Sequence, residues 1–240
     1  MHPILFTIGN FTIYSYGLLV AIGFFAGMQY MVKHSSEVPV KKQQLYDFLF
    51  YLILFGILGA RFLYVLTNFD FFVKHPLDIV KLWQGGLVFY GGFLSVLIFS
   101  FFYCRIKKID IKKLADIAAP ALALGHAFGR IGCFLSGCCY GKECELFISI
   151  NHRHPTQLYE SLGNLAIFFL LNGINKKEHK KGAVFIIYLC MYSVLRFFVE
   201  FFRGDDRGAF IAGFSIAQVI SLAIFLISFL WIFIRGKNEK

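Results

Sequence analysis

The sequence predicts an all-α polytopic membrane protein with seven transmembrane helices, its N-terminus outside and its C-terminus cytoplasmic. Three observations carry this. The 240 residues are 58% hydrophobic and only 16% charged, with a mean hydropathy of +0.67, whereas a soluble domain is about 25% charged. The apolar residues gather in long runs, near 11–32, 45–66, 86–104, 114–136, 157–172, 183–202 and 209–234. A spanning helix needs about 20 such residues, so seven of them use roughly 140 and leave about 100 for loops and ends. Basic residues alternate in density between successive connections. A soluble enzyme and a disordered chain are excluded by composition alone.

Each run is bounded by its charges. The chain opens with MHPILFTIGNFTIYSYG, which lacks the charged start of a cleavable leader, so the first span is expected to be retained. It closes on Lys33, Lys41 and Lys42. The second run closes on Lys74 and Lys81, and the third on Arg105, Lys107, Lys108, Lys112 and Lys113. The fourth is followed by Lys142 and Arg153, and the fifth by Lys176, Lys177, Lys180 and Lys181. The sixth precedes Arg203 and Arg207, and the seventh ends at Arg235, Lys237 and Lys240. The heavy groups hold 15 of the 24 basic residues, the alternate connections six, and Arg61, Arg130 and Arg196 lie inside the runs. Strict alternation is the positive-inside pattern and requires an odd number of spans. The net charge of +10 therefore reads as topology and contact with anionic lipid of the bilayer; no nucleic acid is expected. No internal repeat and no linker divides the chain, so residues 1–240 are expected to form a single integral-membrane domain.

The fourth run differs from the others. ADIAAPALALGHAFGRIGCFLSG is rich in Ala and Gly and carries Asp116, Pro120, His126 and Arg130. Small residues let helix backbones approach closely, and ionisable groups at this depth must face protein or a wet cavity. It is expected to be the central helix.

Arg61, Asp116, His126, Arg130, Glu160, Arg196 and Glu200 are costly at bilayer depth, by at least ~2.5–3.5 kcal/mol for a charge. Arg196 and Glu200 are four residues apart and share a helical face. For Arg61 a structural ion pair and a functional role stand side by side. For His126 an equal alternative is a hydrogen bond between helices. Arg130 lies between glycines, where a forked guanidinium suits close approach of a phosphate. With the predicted topology, Arg130, Tyr16, Tyr90, His154, Glu160, Arg196 and Glu200 converge near the outer surface. That convergence points to a site for a lipid with an anionic headgroup.

Four of the six cysteines, Cys133, Cys138, Cys139 and Cys144, fall within twelve residues. Three readings are open, in this order: a disulfide of Cys138 or Cys139 with Cys144 or a structural thiol, a catalytic thiol assisted by Arg130, and a metal site, for which CCx4C matches no standard zinc spacing.

The segment GRIGCFLSGCCYG, with YSYGLL at 14–19, GGLVFYGG at 85–92, HPTQLYE at 154–160 and LRFFVEFFRGDD at 195–206, resembles the phosphatidylglycerol–prolipoprotein diacylglyceryl transferases from about residue 3 to 235. The resemblance implies transfer of the diacylglyceryl group of phosphatidylglycerol to the lipobox cysteine thiol of a preprolipoprotein signal peptide, forming a thioether and releasing glycerol phosphate. It implies a bacterial cytoplasmic (inner) membrane location with the active site toward the outer leaflet, and no metal or soluble cofactor. By matching motif positions, Arg196 and Glu200 are expected catalytic residues, and Tyr90 and His154 are counted with them. Arg130, Tyr16, Gly132, Gly141 and Arg61 are expected to bind the lipid substrate. The family's best-studied branch has His where this chain has Tyr90, and Asn and Glu at Cys133 and Cys138. A general base is then sought at His126 or His154, the latter alternatively capping span five.

The chemistry has a physical logic. The leaving phosphate carries charge, so guanidinium donors that tighten as it departs lower the barrier. A thiol of pKa ~8.5 needs modest activation, and alignment of thiol and lipid contributes further. The alternative is a same-fold relative with changed chemistry, such as a membrane thiol oxidoreductase or a transferase with another acceptor. A transporter is disfavoured because inverted repeats are missing from the sequence.

Overall fold

A computed structural model describes residues 2–9, 11–206, 210–211 and 213–237. Arg207 and Lys240 of the charge pattern, and the first residue of the seventh run, lie outside them. The described chain is helical, with two small hairpins. Six of its helices are long and apolar enough to cross a membrane: α1 (Ser15–Lys33), α2 (Lys42–Thr67), α4 (Phe89–Lys107), α5 (Ile111–Ser136), α7 (Ala183–Phe201) and α8 (Ile216–Lys237). A short helix, α3 (Phe69–Lys74), and 3-10 turns link α2 to α4. The fifth predicted run forms a helix too, α6 (Thr156–Asn175), but it is not among the six. Its face bearing Gln157, Glu160, Ser161 and Asn164 is buried, and those polar groups dilute its hydropathy.

The chain divides into two compact units, residues 34–111 and the remainder. In the 34–111 unit, α2 and α4 pack through glycines: a Cβ on Gly92 would stand 2.8 Å from the Gly56 carbonyl oxygen, so only small residues permit this approach. Phe99 of α4 stacks on Phe55 and Phe48 of α2, with centroids 4.8 and 5.8 Å away. The Tyr103 hydroxyl donates to the Gln44 carbonyl at 2.7 Å.

Arg61 is the polar centre of this unit. It is buried, and its Nε donates to Ile79 O at 2.9 Å. Its Nη1 donates to Gly85 O at 2.7 Å and its Nη2 to Asp78 O at 2.5 Å. Tyr64 and Phe72 flank the guanidinium. Arg61 was expected to bind substrate. In the structure its donors hold carbonyls of the 78–86 connection, which are costly to bury without partners.

The other unit opens with the hairpin of β1 (Ile4–Ile8) and β2 (Phe11–Tyr14). Ser15, fully buried, ties it to α1 by donating from its hydroxyl to Pro3 O at 3.0 Å. Ala119 and Ala123 of α5, Ile167 and Leu171 of α6, and Val184 and Tyr188 of α7 form the core. The small residues of α5 admit two neighbours, as its composition predicted. A second hairpin, β3 (Phe210–Ile211) with β4 (Phe214–Ser215), precedes α8.

Asp116 has a structural task. Its carboxylate accepts from the Gly182 and Phe185 backbone N–H groups at 2.6 and 3.0 Å. These lie at the start of α7, where helix N–H groups lack intrahelical partners and the dipole favours an anion. His126 also has one: its Nδ1 lies 3.2 Å from the Tyr188 hydroxyl. This is the bond between helices that was one of its two readings.

Candidate active site

Four charged side chains from three helices form one chain of ion pairs. Glu160 of α6 is its hub. One carboxylate oxygen meets Arg130 Nη2 of α5 at 2.8 Å, and the other meets Arg196 Nη1 of α7 at 3.3 Å. Arg196 turns its second amino group to Glu200 at 2.7 Å, the pair that its spacing predicted. Tyr192 donates to Glu160 at 3.4 Å and Ser215 to Glu200 at 2.9 Å. Glu160 is 1% exposed and the Arg130 side chain 21%. Two cations and two anions make the cluster formally neutral, which is the condition for keeping charges at this depth. Arg130 is its most open member.

Glu160 was named among the intramembrane charges but given no role. Its signal was in the sequence: Gln157, Glu160, Ser161 and Asn164 follow the i, i+3, i+4, i+7 spacing of one helix face. Ser161 donates to Ala127 O at 2.9 Å and Asn164 to Glu160 O at 2.7 Å, fixing this face against α5. Tyr192 and Ser215 were missed, because neither is unusual in an apolar or loop sequence.

The end of α5 shapes the rest of the site. Gly137, at φ +76°, stops the helix in a Schellman motif: Gly137 N donates to Phe134 O, and Cys138 N to Cys133 O, both at 3.2 Å. The chain turns again at Cys139, which holds a left-handed φ of +63°. That conformation costs a non-glycine residue about 1–2 kcal/mol. Two buried side chains of α6 hold the turn: Thr156 donates to Cys139 O at 2.9 Å and Gln157 to Cys138 O at 2.7 Å. The result is a knot of three sulfurs, Cys133, Cys138 and Cys139, all within 4.8 Å of one another. All six cysteines are free thiols. The disulfide to Cys144, one of the open readings, is not formed: the turn carries Cys138 and Cys139 back toward Cys133, while the buried Cys144 sulfur accepts from Leu146 N at 3.4 Å.

Cys139 is held as a thiolate at neutral pH. A hydrogen bond from Cys133 is the main cause; burial opposes it, and the charges of Arg203 and Arg130 assist. Its pKa falls to about 5. Burial pushes the Cys138 thiol up. Arg203 is paired bidentately with Asp205 at 2.8 and 2.6 Å.

The remaining expected site residues are dispersed. Tyr16, at the start of α1, lies within electrostatic reach of Arg130 and the three sulfurs. Gly132 is where α5 meets it: a Cβ there would stand 3.3 Å from Tyr16 Cα. Gly141 serves a close backbone crossing. A Cβ on it would lie 2.9 Å from Phe202 O, and its N–H donates to His154 O at 3.1 Å. Both glycines, expected to bind the lipid substrate, are buried against protein. Gly129, beside Arg130, instead faces open space. His154 does not cap α6, whose N-cap is Pro155; its Nδ1 lies 3.2 Å from the Tyr159 hydroxyl. Tyr90 belongs to the 34–111 unit, where it is 65% exposed on the first turn of α4.

Long apolar helices enclosing a neutralised pair of arginines and glutamates define an integral-membrane protein organised around a buried charged site. Comparison with known proteins narrows this. Residues 3–234 match the prolipoprotein diacylglyceryl transferase family. The chain is 36% identical to the phosphatidylglycerol–prolipoprotein diacylglyceryl transferase of Clostridium tetani, covering 95% of each chain. It is 34% identical to that of Geobacter sulfurreducens, over 94% of this chain and 92% of the relative. The Bacillus cytotoxicus enzyme is 32% identical over 97% and 92%. The chain belongs to the prolipoprotein diacylglyceryl transferase family, and is a multi-pass membrane transferase.

Proposed function

We propose that this protein transfers the diacylglyceryl group of phosphatidylglycerol to the lipobox cysteine of preprolipoproteins, at a site toward the outer leaflet of the bacterial inner membrane. The supporting observation is the chain Arg130–Glu160–Arg196–Glu200 in a protein that matches the family over nearly its whole length. In the reaction a carbon–oxygen bond to the headgroup phosphate breaks and a carbon–sulfur bond forms. The thiol proton is lost and glycerol phosphate departs.

Arg130 and Arg196 stabilise the departing phosphate. Glu160 and Glu200 orient the guanidinium groups, so that donors already aimed need no reorganisation as charge develops. Tyr16 borders the same site. His154 is the candidate to receive the acceptor thiol's proton. Residues 1–240 serve one transferase activity, α6 is the fifth of seven spans, and the N-terminus faces outward. The basic clusters at 105–113 and 176–181 support this orientation.

The test is transfer in proteoliposomes containing acyl-labelled phosphatidylglycerol and a lipobox peptide, with its Cys→Ser form as control. Label on the cysteine peptide alone, with glycerol phosphate released, is the expected result. No transfer by folded protein overturns the reading.

A further inference from the structure

The sulfur knot at the end of α5 is not needed by the phosphate-binding arginines. We propose that Cys133, Cys138 and Cys139 form a three-thiolate site for a zinc-type d10 cation, whose open fourth position takes the thiol of the acceptor peptide. The metal site stands on geometry; the identity of its fourth ligand rests on the transferase reading.

Three features of the structure carry it. The first is convergence. Sulfurs around a tetrahedral zinc ion, at about 2.3 Å from it, stand ~3.8 Å apart. The three here lie within 4.8 Å of one another. A shift of about 1 Å completes the site. A disulfide would use only two of them. The second is support. Thr156 and Gln157, both buried, hold the carbonyls of Cys139 and Cys138, and the Schellman turn holds Cys138 N on Cys133 O. Fixed outer groups of this kind orient metal ligands. The third is charge. Three thiolates with a divalent ion leave one negative charge, and the guanidinium groups of Arg203 and Arg130 act on Cys139. Cys138 is exposed and gives an ion access.

The chemical consequence concerns the nucleophile. Three protein ligands leave a fourth position, as in catalytic zinc sites. A thiol entering it gives up its proton to solvent and stays bound as a thiolate. Cys139 and Arg130 interact electrostatically, so charge at this position acts on the proposed headgroup site. No protein base is then required for thiol activation.

The experiment uses full-length protein in detergent, stripped with chelator under reducing conditions and titrated with Co2+ and Zn2+. One Co2+ per chain is expected, with sulfur-to-cobalt charge-transfer absorption. Zn2+ should protect Cys133, Cys138 and Cys139 from alkylation, read by peptide mass spectrometry, and leave Cys104, Cys144 and Cys190 unprotected. Cys139→Ser should weaken binding by more than the roughly 10–100-fold of outer-shell changes, with an unaltered unfolding midpoint. If that variant unfolds, the protection map decides alone. No stoichiometric binding, protection elsewhere, or a disulfide among the three overturns the site. Lipobox peptide, but not its Ser form, should shift the cobalt absorption. An unshifted spectrum overturns the fourth-ligand assignment. A shifted spectrum without transfer from phosphatidylglycerol overturns the transferase reading and keeps the metal site.

Discussion

Arg130 and Glu160 illustrate how a single pair is placed at this depth. Each charge alone would cost several kcal/mol in an apolar interior, and each answers the other at 2.8 Å. Removing Arg130 takes away a headgroup donor and leaves Glu160 with less compensation. Arg130→Ala is expected to lower transfer by about 10²–10³-fold, the loss typical of a transition-state anion donor. Arg130→Lys should recover little, because an ammonium cannot present the forked donor pair. The proteoliposome assay checks both, and full activity in Arg130→Ala would refute the assignment. Cys139 yields a second expectation. In metal-free protein its alkylation rate should be flat above neutral pH. It should fall as pH drops through about 5, because the lowered pKa keeps the nucleophilic thiolate until then. A midpoint near ~8.5, the ordinary thiol value, would show that the Cys133 and arginine contacts do not operate.

At the scale of elements, the ends of helices use polar groups supplied from elsewhere in the chain. Asp116 caps α7 from 66 residues away, and Arg61 holds the carbonyls before α4 from within α2. Asp116→Ala should cost about 1–2 kcal/mol, as loss of a cap does. The effect should be a lower unfolding midpoint with transfer activity per folded molecule unchanged. A loss of activity without a change in midpoint would move Asp116 into the site. Gly141 belongs to the same scale: its hydrogen atom allows the α5–α6 connection to cross Phe202 and His154. Gly141→Ala should displace that connection and, through it, the held turn at Cys138 and Cys139. Thermal unfolding and Co2+ titration of the same variant check it: the midpoint and the affinity should fall together.

For the whole molecule, the apolar exterior and the interior charges divide the work. Exposed side chains such as Phe62, Phe169 and Ile227 suit lipid contact, while charges are collected where three helices meet. The orientation is open to direct measurement. An impermeant maleimide added outside intact spheroplasts stripped of metal by a chelator should label the exposed Cys138. Labelling only after lysis would invert the topology and the assignment of the outer leaflet.

The positions of six apolar helices and the Arg196–Glu200 pair were legible in the sequence, because each depends on local periodicity or composition. So was the family, through segments spread along the chain. The role of Arg61 was not legible. Whether an intramembrane guanidinium faces a ligand or backbone carbonyls depends on a connection about 20 residues away in sequence. Glu160 as hub, and the three sulfurs as one cluster, were likewise decided by tertiary structure. Helix packing brings α5, α6 and α7 within ion-pair distance, and a left-handed turn folds Cys139 back on Cys133. Periodicity fixes which face a residue occupies; only packing determines what that face meets.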